Sequence, residues 1–173
     1  MVTDLGGTMK RFPLIQGAPL VIALSSSLAV VVTAAIAKPF TYVNARFGTS
    51  CTFPDEIFSI AEAEPENGDG QQWSAPDGAS LTCSGIYNVD NDTPRGFVAA
   101  EKANTGPGYK ITYSKTGKNW AVLSGIKGDK VFYERRLFGK DGVIRSVWIE
   151  YPSSLKAKYD PLTGAIATSL RGP

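Results

Sequence analysis

The chain has 173 residues, 43% of them hydrophobic and 20% charged, and a formal net charge of +2, so neither its composition nor its charge demands a nucleic-acid partner. It has no histidine and only two cysteines. That removes the imidazole that normally activates a catalytic thiolate, and it argues against a zinc site.

Residues 18–37, "APLVIALSSSLAVVVTAAIA", carry no charge and end in Ala35-Ile36-Ala37, a small-x-small cleavage pattern. Lys10 and Arg11 follow a second methionine, Met9, and reading from Met9 gives the three regions of a secretory signal peptide. The expectation is a leader over 1–37, with Met9 as the true start, and an exported domain over 38–173. The alternative is an uncleaved anchor, since 20 apolar residues could just span a bilayer. No cysteine follows the apolar run, which argues against a lipoprotein. Cleavage after Ala37 would leave Lys+Arg at 16 and Asp+Glu at 15, a net charge of +1, in one domain large enough for a real core.

"TYVNA" reads as a strand, "RFG" as a turn, and "GTSCTF" as a second strand bracketed by Gly48 and Pro54. "NGDG" and "PDG" then flank "QQWSA", and "ASLTCSGIYN" follows, which reads as a β-hairpin. Cys51 and Cys83 lie in these runs. In an oxidising compartment an even cysteine count favours a disulfide, provided neighbouring strands bring the two Cα atoms close enough. Closing that loop would contribute about 3–4 kcal/mol. Free buried cysteines and a catalytic thiolate are the alternatives.

Downstream, Thr93 as N-cap, Pro94 in the first turn and Gly106 as a stop predict a helix of about ten residues. "YKITYSK", "NWAVLSG", "KVFYERRLF" and "VIRSVWIEY" are β-branched and aromatic runs separated by glycine-containing turns, a four-stranded antiparallel meander with one buried face. Alternation puts Ile111 and Tyr113 on one face of their strand, and Val143, Val147 and Ile149 on one face of theirs. After Pro152, Asp160 as N-cap and Pro161 next predict a last helix with Leu162, Ile166 and Leu170 along one side. The fold class is α+β: an antiparallel sheet, hairpin plus meander, covered by one or two helices.

The segments Tyr42-Val43-Asn44-Ala45-Arg46-Phe47-Gly48, Phe53-Pro54, Gly68-Asp69-Gly70, Ser74-Ala75-Pro76-Asp77-Gly78, Trp120 with Ser124-Gly125, and Tyr151-Pro152 occur in that order. Together they resemble a group of small exported alphaproteobacterial proteins of unknown function, over nearly all of residues 41–171. The element order and the Phe47-Gly48…Phe53-Pro54 opening are similar to the PsbP-like fold, named for an extrinsic photosystem subunit. That resemblance implies a non-catalytic binding or assembly role. No metal-site residues can be matched, so photosynthetic function is not implied.

Lys115-Thr116-Gly117 and Ser153-Ser154-Leu155-Lys156 match short elements of penicillin-recognising enzymes. Their order is reversed, the element that should lie between them is missing, and the chain is too short. Glu62 to Asp69 and Asp90-Asn91-Asp92 offer oxygens to a calcium ion, but neither has EF-hand spacing.

Charge distribution is more telling. Residues 38–109 hold four basic and ten acidic side chains; residues 110–145 hold nine basic and three acidic. The expected site is a basic face of Lys118, Trp120, Lys127, Lys130, Tyr133 and Arg135, besides the Cys51–Cys83 bridge, with no catalytic residue, metal ligand or cofactor. Its partner would be an anionic envelope component or an envelope protein, not nucleic acid, and a membrane only if the leader is uncleaved. The competing explanation is that the lysines keep edges soluble while the aromatics pack the core. A periplasmic or secreted binding module is the reading; a small hydrolase using Glu with Tyr or Lys is the alternative.

Overall fold

A computed structural model describes residues 38–173 together with the isolated Met1 and Thr3, so the leader expected over 1–37 lies outside the described residues. The described chain opens with β1 (Pro39–Val43) and β2 (Ser50–Pro54), an antiparallel ribbon in which Phe40 faces Phe53 and Tyr42 faces Cys51. Seven further strands form one antiparallel sheet: β3 (Ile60–Ala61), β4 (Gly70–Ser74), β5 (Ser80–Tyr87), β6 (Tyr109–Thr116), β7 (Trp120–Lys127), β8 (Lys130–Phe138) and β9 (Val143–Pro152). Their spatial order is β3-β4-β5-β9-β8-β7-β6. The hairpin and the meander expected from the sequence are both present, and pairing of β5 with β9 joins them into a single sheet.

Helix α1 (Pro94–Ala103) forms where the cap signals put it. The Thr93 hydroxyl accepts from the Gly96 amide, Pro94 sits in the first turn, and Asn104 rather than Gly106 closes the end. Helix α2 (Lys156–Ser169) starts upstream of the expected Asp160, after a 3₁₀ turn over Ser153–Leu155, and Pro161 lies inside it. The cause is Tyr159: fully buried, stacked on Tyr151 at 5.1 Å and near Phe58, it holds the extra turn against the sheet. Asp160 therefore accepts the Tyr151 hydroxyl at 2.6 Å and pairs with Lys156 at 3.2 Å, instead of capping the helix. Ile166 and Leu170 are buried and Leu162 is half-buried, as the four-residue spacing predicts.

Both faces of the sheet are covered in part, where the sequence suggested one buried face. On the front, Leu81, Cys83, Val131, Val147, Ile149 and Tyr151 pack under the ribbon and α2. On the rear, Leu123, Phe132, Phe138 and Ile144 pack under Phe97 and Val98 of α1. The ribbon docks closely because Gly85 has no side chain: a Cβ there would lie 2.7 Å from both Phe47 Cβ and Thr49 Oγ1.

The expected sharing of a face by Ile111 and Tyr113 is overturned by a β-bulge. Ile111 pairs with Gly125 and Tyr113 with Ser124, adjacent positions on β7, so Ile111 joins the rear core and Tyr113 faces front. Val143, Val147 and Ile149 do share the front face.

The bridge is present: Cys51 and Cys83 are disulfide-bonded, Cα to Cα 6.2 Å, and both are fully buried. The cysteines are not on paired strands, as the sequence suggested, because β2 belongs to the ribbon. The disulfide pins the ribbon onto the front of the sheet.

Asp77 in the β4–β5 turn accepts from Lys158 at 2.5 Å and from the Tyr159 hydroxyl at 2.7 Å. Burial raises the Asp77 carboxyl, but the Lys158 and Tyr159 hydrogen bonds outweigh it and leave the pKa below the ordinary value. A depressed carboxylate contributes stability above its unfolded pKa of about 4, lost as pH falls through the folded value. We expect Asp77→Ala to cost about 1–3 kcal/mol, chiefly by leaving the Tyr159 hydroxyl without an acceptor. Urea unfolding at pH 7 and pH 3 checks this: the gap between wild type and variant should shrink in acid. Adding Tyr159→Phe to the variant should recover part of the loss. A gap that persists unchanged at pH 3 contradicts the electrostatic part.

Candidate functional site

Strand alternation decides where the basic residues of β6, β7 and β8 point. Lys127 pairs with Lys130 across β7–β8, and both are on the rear face. There they flank Glu150, at 3.5 and 3.3 Å, and Lys127 lies 5.6 Å from the centre of the Trp148 ring. Arg136, also rear-facing, pairs with the buried Glu134 at 2.6 Å and lies over the Phe97 ring of α1. Burial pushes the Glu134 carboxyl above its ordinary range even though Arg136 pulls it down. Each of these rear cations thus has a carboxylate partner, Lys127 and Lys130 sharing Glu150, and Arg136 also packs on α1.

The front face of the same strands is different. Trp120, Tyr133 and Arg135 sit there, level with Leu137, Ser124 and Val122 respectively. Lys110, Tyr113 and Lys115 join them from β6, paired with Ile126, Ser124 and Val122. The Arg135 guanidinium lies 4.9 Å over the Trp120 ring, and its Nε is buried without a hydrogen-bond partner among the described residues. Burial lowers the Arg135 pKa, and the nearby Arg171 charge adds to that. Burial raises the Tyr133 phenol, helped by Tyr113 beside it and opposed by Arg135, so the Tyr133 hydroxyl stays protonated at neutral pH. No carboxylate occupies a front position on β6, β7 or β8. Among the described residues none of Lys110, Lys115 and Arg135 makes an ion pair.

The six residues expected as one basic face are therefore divided. Trp120, Tyr133 and Arg135 come together on the front, and Lys127 and Lys130 are on the opposite side. Lys118 sits in the β6–β7 turn and lines a hollow with Thr93, Pro94 and Arg95 at the start of α1. Sequence reasoning missed Lys110, Tyr113 and Lys115 as members. The missing signal was the bulge at Thr112, which puts Lys110 on the same side as Tyr113 and Lys115. This half of the sheet is the more open for a topological reason: the ribbon lies over the β4–β5 end and α2 over β8 and β9, so among the described residues the front core ends at Ile126 of β7 and includes no residue of β6.

Other concave places include an apolar groove and a hollow beside α1. An apolar groove of about 330 Å³ runs between the ribbon and α2, lined by Phe53, Pro54, Ile57, Leu162 and Ala165 among others. A hollow of about 580 Å³ contains Glu101 and Tyr109, whose hydroxyl donates to Glu101 at 3.2 Å. Burial and the Glu101 charge push the Tyr109 phenol up to about 12, which makes it a poor base. The enzyme-like fragments do not meet: Lys115 is level with Arg135, two strands over and five positions along β8 from Lys130, whereas Ser153 follows Pro152, the partner of Lys130. Among the described residues no three acidic or cysteine side chains come together to hold a metal ion.

No protein-family model matches the chain, and no curated protein sequence matches it. Among solved structures it is similar to the solution structure of cyanobacterial PsbP (CyanoP) from Synechocystis sp. PCC 6803, with a TM-score of 0.57 at 12% identity. The match covers 87% of this chain and 99% of that one. The order of elements, the ribbon over the sheet and the two helices thus make up a PsbP-like α+β fold.

Proposed function

We propose that this chain is an exported, non-catalytic binding or assembly module of the cell envelope, and that it engages an anionic partner through the open front of β6, β7 and β8. The observation that carries this reading is the contrast between the two faces of the same strands. Rear cations have carboxylate partners; among the described residues the front cations have none, and they alternate with Tyr113, Trp120 and Tyr133. An uncompensated cluster of cations on a flat, carboxylate-free surface attracts anions and gains from desolvation against aromatic rings. The buried Cys51–Cys83 disulfide supports an oxidising compartment, and the apolar leader supports delivery to the periplasm or beyond. The sequence resemblance to small exported proteins points the same way.

Retention on a sulfated resin tests it. Changing Lys110, Lys115 and Arg135 together to glutamine should lower the salt concentration needed for elution well below that of wild type. Changing Lys127 and Lys130, which are already paired with Glu150, should lower it much less. Equal effects from the two sets would mean that only net charge matters and would remove the front face as the site.

A further inference from the structure

Resting on the reading of this open face as a binding surface, we propose that the partner is an extended acidic polypeptide segment that adds as a further strand along the free edge of β6. The two edges of the sheet are unlike. β3 is two residues long, whereas β6 runs for eight and, among the described residues, pairs with β7 alone apart from a bridge between Tyr109 and Gly106 at its start. Alternate residues of such an edge turn their N–H and C=O groups outward, ready to pair with another chain.

Side chains along the edge define what that chain must carry. Lys110, Tyr113 and Lys115 occupy three successive front positions, because the bulge at Thr112 takes up the extra residue. Tyr109, Ile111, Ser114 and Thr116 occupy the rear positions. Directly opposed side chains on an added strand would lie about 5 Å from these, close enough for charge and aromatic contacts. The complementary strand presents a carboxylate, then a β-branched or aromatic residue, then a carboxylate on its front face. Its rear-facing positions are uncharged.

The lysines also exclude the competing occupant. A second copy offering its own β6 antiparallel to this one would set lysine against lysine, which is unfavourable. The same residues therefore repel self-pairing and select an acidic strand, so that specificity comes from repulsion as well as attraction. An anionic polysaccharide could use the lysines and the tyrosines but would leave the outward backbone groups of β6 unused. Strand addition satisfies both, with main-chain bonds providing affinity and alternate side chains providing selectivity.

The probe is a capped, fluorescein-labelled peptide alternating threonine with glutamate, valine and glutamate, read by fluorescence anisotropy at low salt against the intact protein. Binding should weaken about ten-fold or more when every peptide amide is N-methylated, since the charge is kept and the strand bonds are lost. A similar loss is expected for Lys110→Gln with Lys115→Gln, and a change of about two-fold or less for Lys127→Gln. Amide hydrogen exchange over residues 109–116 should slow when the parent peptide is added. Equal binding by the N-methylated peptide, or no binding by the parent peptide, overturns strand addition. If the resin experiment still distinguishes front from rear cations in that event, the binding face stands and only this partner falls. If it does not, both fall.

Discussion

Replacing Cys51 and Cys83 by serine should lower the stability of the domain by about 3–4 kcal/mol, the loop-closure contribution for a separation of 32 residues. For a domain of this size that is a fall of roughly 10 °C in melting temperature. The ribbon should respond first. β1 and β2 share no ladder with the seven-stranded sheet; the bridge and the apolar contacts of Phe40, Tyr42 and Phe53 around Trp73 hold them there. Trp73 is the natural reporter, because loosening of the ribbon wets its ring. Denaturant melts followed by tryptophan fluorescence and by far-UV circular dichroism should coincide for wild type and separate for the double variant. A loss below about 1 kcal/mol would show that the remaining contacts hold the ribbon, and that the bridge is incidental to the fold.

Arg145→Met should be comparably costly, about 3–5 kcal/mol, though Arg145 was one of nine basic residues in the stretch that suggested a basic face. Its guanidinium is 3% exposed and donates to the Phe47 carbonyl from Nε at 3.2 Å and from Nη2 at 2.8 Å. It also donates to both oxygens of Asp141, whose carboxyl the contact holds below the ordinary range. Methionine fills much of the volume but leaves the Phe47 carbonyl and the Asp141 carboxylate without their donor. Asp141→Asn should cost less, since Asp141 is 43% exposed and the bonds to Phe47 survive. That ordering, measured by urea unfolding at pH 7, separates an anchoring role from a surface ion pair. Anion retention should be unchanged in any Arg145 variant that folds. If Arg145→Met is nearly neutral, the residue does not tie the ribbon turn to β9.

Local signals along the chain were enough for the hairpin, the meander and α1, because each is specified by turn glycines, alternation or a cap lying within a few residues. The start of α2 was misread because a strong local cap, Asp160-Pro161, competes with the burial of Tyr159, and tertiary packing won. The binding face was half legible. Composition located the cations in the right strands, but which cations face which side depends on strand parity, and a single bulged residue at Thr112 inverts part of it. Whether a lysine is neutralised depends on carboxylates contributed from elsewhere. Glu150 sits two strands from Lys127, and no spacing in the sequence announces that meeting. The covering of the sheet was equally invisible: it follows from where the ribbon and α2 come to rest.

Joining of β5 to β9 brings residues 80–87 against residues 143–152, so the sheet has no central seam until nearly the whole polypeptide is available. Long-range pairing of this kind is slow to nucleate. Both cysteines precede β6, however, and the ribbon and the hairpin that carry them are contiguous in the chain. The two sulfurs can therefore meet while the C-terminal strands are still awaited. β9, which pairs with β5 on one side and β8 on the other, is then the strand that locks a cross-linked N-terminal half to the meander.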